Sequence, residues 1–161
     1  MQRAEEIEVS KIGDIVSAIF SEPAVAYQDY SDFDSELKQY KTEEALLRGI
    51  SSAIDGNAHS ANFSIYYPEA KGYFFSERKS LNPAKCNGAT FRYVASGWGL
   101  IQLQIDLKNK LKPAVSVSVN SQKRAEAWFQ TYPEFKEPSL WEWKYVEKQA
   151  RRIIRVLKQC A

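Results

Sequence analysis

The sequence predicts an α+β domain, an antiparallel sheet of four to five strands with about four helices packed on one face and at its end. Three observations carry this. The apolar period is close to 3.6 residues over 12–20 and 42–54, becomes 2 in the strands between 61 and 119 and returns to 3.6 over 121–159. The central strands, above all a meander around residues 89–119, follow one another through the short connections that join antiparallel neighbours. The 161 residues, 44% apolar and 26% charged, fit one domain spanning 1–161 and are too apolar for disorder.

In chain order, Ile12, Ile15, Val16, Ile19 and Phe20 make one apolar stripe of a first helix, stopped by Pro23. The stretch from Glu22 to Lys41 mixes acids and rings without either period and reads as loop with one short helix. Thr42 then caps a second helix whose first turn carries Glu43 and Glu44 and whose stripe is Leu46, Ile50, Ala53 and Ile54, before Gly56-Asn57 ends it. Phe63, Ile65 and Tyr67 alternate with Asn62, Ser64 and Tyr66 as a strand closed by Pro68. A short strand at 73–76 and an exposed loop at 78–88 follow.

The clearest strands are Phe91, Tyr93, Ala95 and then Ile101, Leu103, Ile105, Leu107, joined by a hairpin through Ser96-Gly97-Trp98-Gly99. Val115, Val117 and Val119 continue the meander beyond the turn at 108–113. Asn120 or Ser121 caps a third helix with Ala125, Trp128 and Phe129. Ser139-Leu140-Trp141-Glu142 is a capping box for a fourth helix running to about Lys158, because the serine oxygen and the glutamate can each satisfy an amide that the helix start leaves open.

Composition bounds the function classes. No window approaches the roughly 18 uninterrupted apolar residues of a membrane span. The acidic start, Met1 to Glu8, lacks a secretory pattern, and two cysteines, Cys86 and Cys160, make no disulfide or zinc framework, so a cytoplasmic location is the simplest expectation. The net charge of +2 is unevenly spread. Residues 1–60 hold twelve acidic and five basic side chains, a net of −7, and residues 61–161 hold eight and seventeen, a net of +9. An acidic N-terminal segment folded across a basic face would account for this.

Two constellations stand out. On the last helix, Val146, Ala150, Ile153, Leu157 and Cys160 share one sector, while Lys144, Lys148, Arg151, Arg155 and Lys158 fall opposite. Such a row neutralises nucleic-acid phosphates, an acidic protein surface or anionic lipid headgroups, or else is a solvated face with partners on the acidic N-terminal segment. On the sheet, period 2 sends Arg92, Gln102, Gln104, Asp106, Ser116 and Ser118 to the side away from the core, where they would bind a polar ligand or form the wet side of a two-layer domain. Trp98, between two glycines at a hairpin tip, either folds back or anchors a partner.

Catalytic, cofactor and metal patterns are not evident. His59 is the single histidine, and Asp29, Asp32, Asp34 and Glu36 lack the glycine turn of a calcium loop. The reading is therefore a non-catalytic interaction module. It uses the basic helix, with Arg92, Gln102, Gln104 and Trp98 as further contacts, to engage an acidic protein surface or nucleic acid. The alternatives are a small enzyme working at the polar sheet face through Arg92, Gln104, Asp106 and His59, and an inhibitory protein binding through its acidic segment 29–36. An edge strand or the first helix would support a homodimer as readily as a monomer.

Overall fold

The computed structural model describes residues 4–28, 37–69, 101–119, 122–133 and 137–161. Among them are six strands in one antiparallel sheet and four α-helices. The strands are β1 (Glu5–Glu6), β2 (Val25–Gln28), β3 (Lys38–Tyr40), β4 (Ser60–Tyr66), β5 (Ile101–Asp106) and β6 (Ala114–Val119). The helices are α1 (Ile12–Ile19), α2 (Glu43–Asp55), α3 (Gln122–Thr131) and α4 (Leu140–Cys160). The sheet runs β1-β6-β5-β4-β2-β3, so the expected α+β class holds with a slightly larger sheet.

The alternation in β4, β5 and β6 does what period 2 requires. Phe63 lies opposite Leu103, which lies opposite Val117, and Ala61, Ile105 and Val115 form the next rank. All six are buried, and burying each large apolar side chain contributes roughly 1.5–3 kcal/mol. Over this face lie α1, through Ile12, Ile15, Val16 and Ile19, and α4, through Val146, Ile153 and Leu157. The α2 helix joins them through Leu46 and Ile50.

The local signals for helix starts are realised as hydrogen bonds. Thr42 Oγ1 accepts the Ala45 amide at 3.1 Å. Ser139 Oγ accepts the Glu142 amide at 3.3 Å, and the Glu142 carboxylate accepts the Ser139 amide at 3.1 Å. The α1 C-terminus has no glycine cap, and its exposed carbonyls are met by side chains instead. Ser21 Oγ and the Arg152 guanidinium donate to Ala18 O at 3.0 and 2.6 Å, and the Tyr67 hydroxyl donates to Ile19 O at 2.8 Å.

One expectation is corrected. Of the segment from Glu22 to Lys41, read as loop with one short helix, the described parts supply strands β2 and β3. Glu5–Glu6, to which no local period assigns an element, pairs with β6. These pieces are two to four residues long and rich in Glu, Gln and Lys. Their strand character comes from ladder bonds to neighbouring strands, which no local period can announce. The strands expected at 73–76 and at Phe91, Tyr93 and Ala95, with the hairpin through 96–99 and the segment 29–36, lie outside the described residues. Within them, β5 pairs with β4 on one side and β6 on the other.

Gly49, in the middle of α2, shows why this helix can sit so close to β3. A Cβ built there would lie 2.6 Å from Tyr40 Cζ. Tyr40 is buried, sits edge-on to Phe63 with centroids 6.0 Å apart, and donates to Gln28 Oε1 at 2.6 Å, so its ring has little freedom to give way. Gly to Ala in a helix interior ordinarily stabilises by about 1 kcal/mol. Here Gly49→Ala is expected to destabilise by about 1–2 kcal/mol through overpacking. A thermal melt at or above the wild-type midpoint would show that the ring yields.

Candidate functional site

The longest helix among the described residues, α4, separates an apolar face from a basic one. On α4 the buried residues are Trp143, Val146, Gln149, Ala150, Ile153, Leu157 and Cys160. Lys144, Lys148, Arg151, Arg155 and Lys158 are all exposed on the other side. At 100° per residue they occupy a sector about 80° wide, and from Lys144 to Lys158 the row is about 21 Å long at 1.5 Å per residue. The structure thus brings together all five cations that the sequence singles out on this helix.

The described part of the fold does not neutralise the row from outside the helix. Arg151 Nη1 lies 3.8 Å from Glu147 Oε2 within the same helix, with both side chains substantially exposed. Such an i, i+4 pair is worth about 0.3–0.5 kcal/mol. Among the described residues no other carboxylate forms an ion pair with the row. Asp14 of α1 and Glu43, Glu44 and Asp55 of α2 form no ion pair with it, and α1 packs against α4 through buried apolar residues. The part of the acidic segment at 29–36 lies outside the described residues.

The sixth basic residue of this helix has a different job. Arg152 is half-buried and points into the α1–α4 seam. Its Nη2 reaches Ala18 O at 2.6 Å and the Tyr67 hydroxyl at 3.4 Å. A cation beside the last carbonyls of a helix meets the negative end of its dipole. Three polar atoms one or two turns apart on this flank, Tyr145 Oη, Gln149 Oε1 and Arg152 Nε, are buried without a hydrogen-bond partner among the described residues.

Burial drives the Tyr67 phenol far above its ordinary range, the nearby Arg152 partly opposing it. Tyr145 and Tyr66 are also raised, by burial first and then by Glu22 and Glu69 beside Tyr145 and Glu142 beside Tyr66. The folded state therefore keeps the Tyr67 proton above pH 10, where the unfolded chain gives it up. Stability present below that pH is lost as the pH rises further. Denaturant midpoints measured at pH 7, 10 and 11.5 are expected to fall across the alkaline interval, and to fall less steeply in Tyr67→Phe. Equal slopes in the two proteins would remove Tyr67 from the account.

The polar sheet face is only partly open. Gln104 and Asp106 are exposed, and Ser116 Oγ donates weakly to Gln104 Oε1 at 3.4 Å. One rank along, Gln102 is half-buried and its Nε2 donates to Ser64 Oγ at 2.8 Å. Ser64 is 2% exposed, and Tyr27 and Tyr66 on the same face are buried as well. The face is therefore wet at the Asp106 end and closed toward β2. The pairing of Ser60 with Asp106, and the Leu107 amide donating to His59 O at 2.9 Å, bring His59 and Asp106 to the same end of the sheet, where both are exposed. Arg92 and Trp98 lie outside the described residues.

One surface group has no counterpart among the residues that the sequence singles out. Trp141 is 58% exposed and Leu140 60% exposed, among the large apolar side chains most open to solvent. The Trp141 ring stacks on Tyr145 with centroids 5.5 Å apart and planes 27° apart. A helical wheel finds it, since position 141 projects beside Lys148 and away from the apolar stripe. The capping box accounts for the two ends of this tetrapeptide and leaves its ring unexplained. The chain matches no protein-family model, no curated protein and no solved structure at a significant level.

Proposed function

We propose that the protein is a non-catalytic binding module that engages a polyanionic macromolecule through the exposed face of α4. The observation carrying this reading is the row Lys144, Lys148, Arg151, Arg155 and Lys158, exposed along about 21 Å of one rigid helix, with Glu147 the one carboxylate paired to it among the described residues. Five like charges held in line repel one another, and a partner bearing phosphates or carboxylates relieves that repulsion while releasing its own counterions. The opposite face of α4 is consumed by the core, so the helix is fixed in place and needs no ordering on binding.

The test is a salt titration of binding between the purified protein and labelled single-stranded and double-stranded oligonucleotides, with heparin as a sequence-free polyanion. Affinity is expected to fall steeply and log-linearly with salt. The triple variant Lys148→Glu, Arg151→Glu, Arg155→Glu is expected to lose both the affinity and most of the slope. Wild-type protein that binds none of these polyanions at low salt, or a triple variant that binds them as wild type does, would refute the reading.

A further inference from the structure

We infer that Trp141 is a base-stacking platform at the head of the basic row, and that the partner is therefore single-stranded nucleic acid. This deepens the reading above and rests on it. The ring stands within one turn of Lys144 and two of Lys148, with 58% of its surface open. Its stack on Tyr145, itself half-buried against Tyr67 at a centroid distance of 6.1 Å, supports it from behind. An exposed indole held in one orientation and bordered by cations is the combination that single-strand-binding surfaces use: backbone phosphates on Lys and Arg, base faces on an aromatic ring.

The charges around the ring decide which part of a nucleotide sits where. On the Lys144 and Lys148 side the field favours phosphate. On the Tyr145 side, Glu22 and Glu69 lie close enough to raise that phenol, so phosphate is disfavoured there and the uncharged base is the part that can lie over Trp141. A duplex keeps its base faces stacked against one another and offers none to a side chain approaching from the surface, whereas an unpaired strand does. A membrane surface fits less well. An amphipathic helix binds lipid through its apolar face, and that face of α4 is buried in the core.

The experiment compares wild type with Trp141→Ala and Trp141→Phe for binding to a labelled single-stranded oligothymidylate, a duplex of mixed sequence, heparin and anionic phosphatidylserine vesicles, at two salt concentrations. Trp141→Ala is expected to weaken single-strand binding about fivefold or more and to leave duplex and heparin binding, and the salt slope, unchanged. Trp141→Phe is expected to recover much of the loss, and all three proteins are expected to melt within a few degrees of one another because the ring is exposed. Single-strand binding that is salt-sensitive but identical in Trp141→Ala would overturn this inference and leave the basic row standing. Vesicle binding that depends on Trp141, without oligonucleotide binding, would overturn it in favour of lipid. Absence of binding to any polyanion would remove the row's function and the inference with it.

Discussion

Reversing Lys148, Arg151 and Arg155 to glutamate is expected to weaken polyanion binding by at least about 100-fold near physiological salt. A unit charge pair at close approach in water is worth about 1 kcal/mol. Removing three such pairs together costs about 3 kcal/mol, a factor of about 150, before the repulsion from the new carboxylates is added. If all five cations meet phosphates of a single strand, the logarithmic salt slope of the wild-type protein should be about −3.5, and the variant's should be shallower by about 2 or more. The fold should tolerate the change. All three side chains are exposed, and the weak Arg151–Glu147 pair at 3.8 Å is the one ion pair within the described residues that disappears. A melt within a few degrees of wild type, together with abolished binding, would isolate the charge effect. A variant that unfolds must be replaced by Lys148→Gln and Arg155→Gln, which remove the positive charges without adding repulsion.

The second large effect concerns the neighbouring arginine and has the opposite character. Arg152→Ala is expected to cost about 3 kcal/mol of stability and to leave polyanion binding nearly unchanged. A hydrogen bond from a charged donor contributes about 1.5–3 kcal/mol, and the guanidinium sits against Ala18 O at 2.6 Å, where the α1 dipole adds to it. Removing it also takes a partner from the buried Tyr67 hydroxyl. For a domain of this size the loss corresponds to a fall in Tm of about 6–12 °C. Arg151→Ala, one residue away, should change stability by less than about 0.5 kcal/mol. Thermal unfolding of the two variants side by side checks the contrast. Similar melting points would mean that the seam between α1 and α4 does not depend on this cation.

These two predictions separate what a sequence can and cannot say about adjacent residues of one type. Helical spacing puts Arg151 and Arg155 on the exposed side and leaves Arg152 at its margin, but the partner that recruits Arg152, the end of α1, is 134 residues away in the chain. The same limit explains the strands. Those of β4, β5 and β6 carry the alternation Phe63, Ile65; Leu103, Ile105; Val115, Val117, because one face is buried along their whole length. In β1, β2 and β3 the residues carry little such pattern, since a short edge piece is held by backbone pairing to a neighbour supplied by the rest of the fold.

The candidate site divides in the same way. The basic row was legible because five cations at helical spacing opposite an apolar stripe are a local regularity, and the helix that carries them starts at a capping box encoded in four consecutive residues. The helical wheel sets Trp141 on the solvent side, but its support was not legible, because the Tyr145 ring on which it stacks is backed by Tyr67 from another part of the chain. The polar sheet face was legible as a face, through the register that sets Gln102 opposite Ser64 and Gln104 opposite Asn62. Its closure around Ser64 was not, since period 2 assigns a residue to a side and says nothing of what covers that side.

By itself, the sequence determined the α+β class, the stripes of α1, α2 and α4, the caps at Thr42 and Ser139, and the separation of charge around the last helix. Each of these is set by residues within a few positions of one another, where helical or pleated geometry fixes the neighbours. Only the tertiary structure decided the edge strands, the tight seat of Tyr40 against Gly49, the capture of Arg152 by the end of α1 and the backing of the Trp141–Tyr145 stack by Tyr67. In these the interacting groups belong to different elements of the fold, and only close packing of the assembled core determines which of them meet.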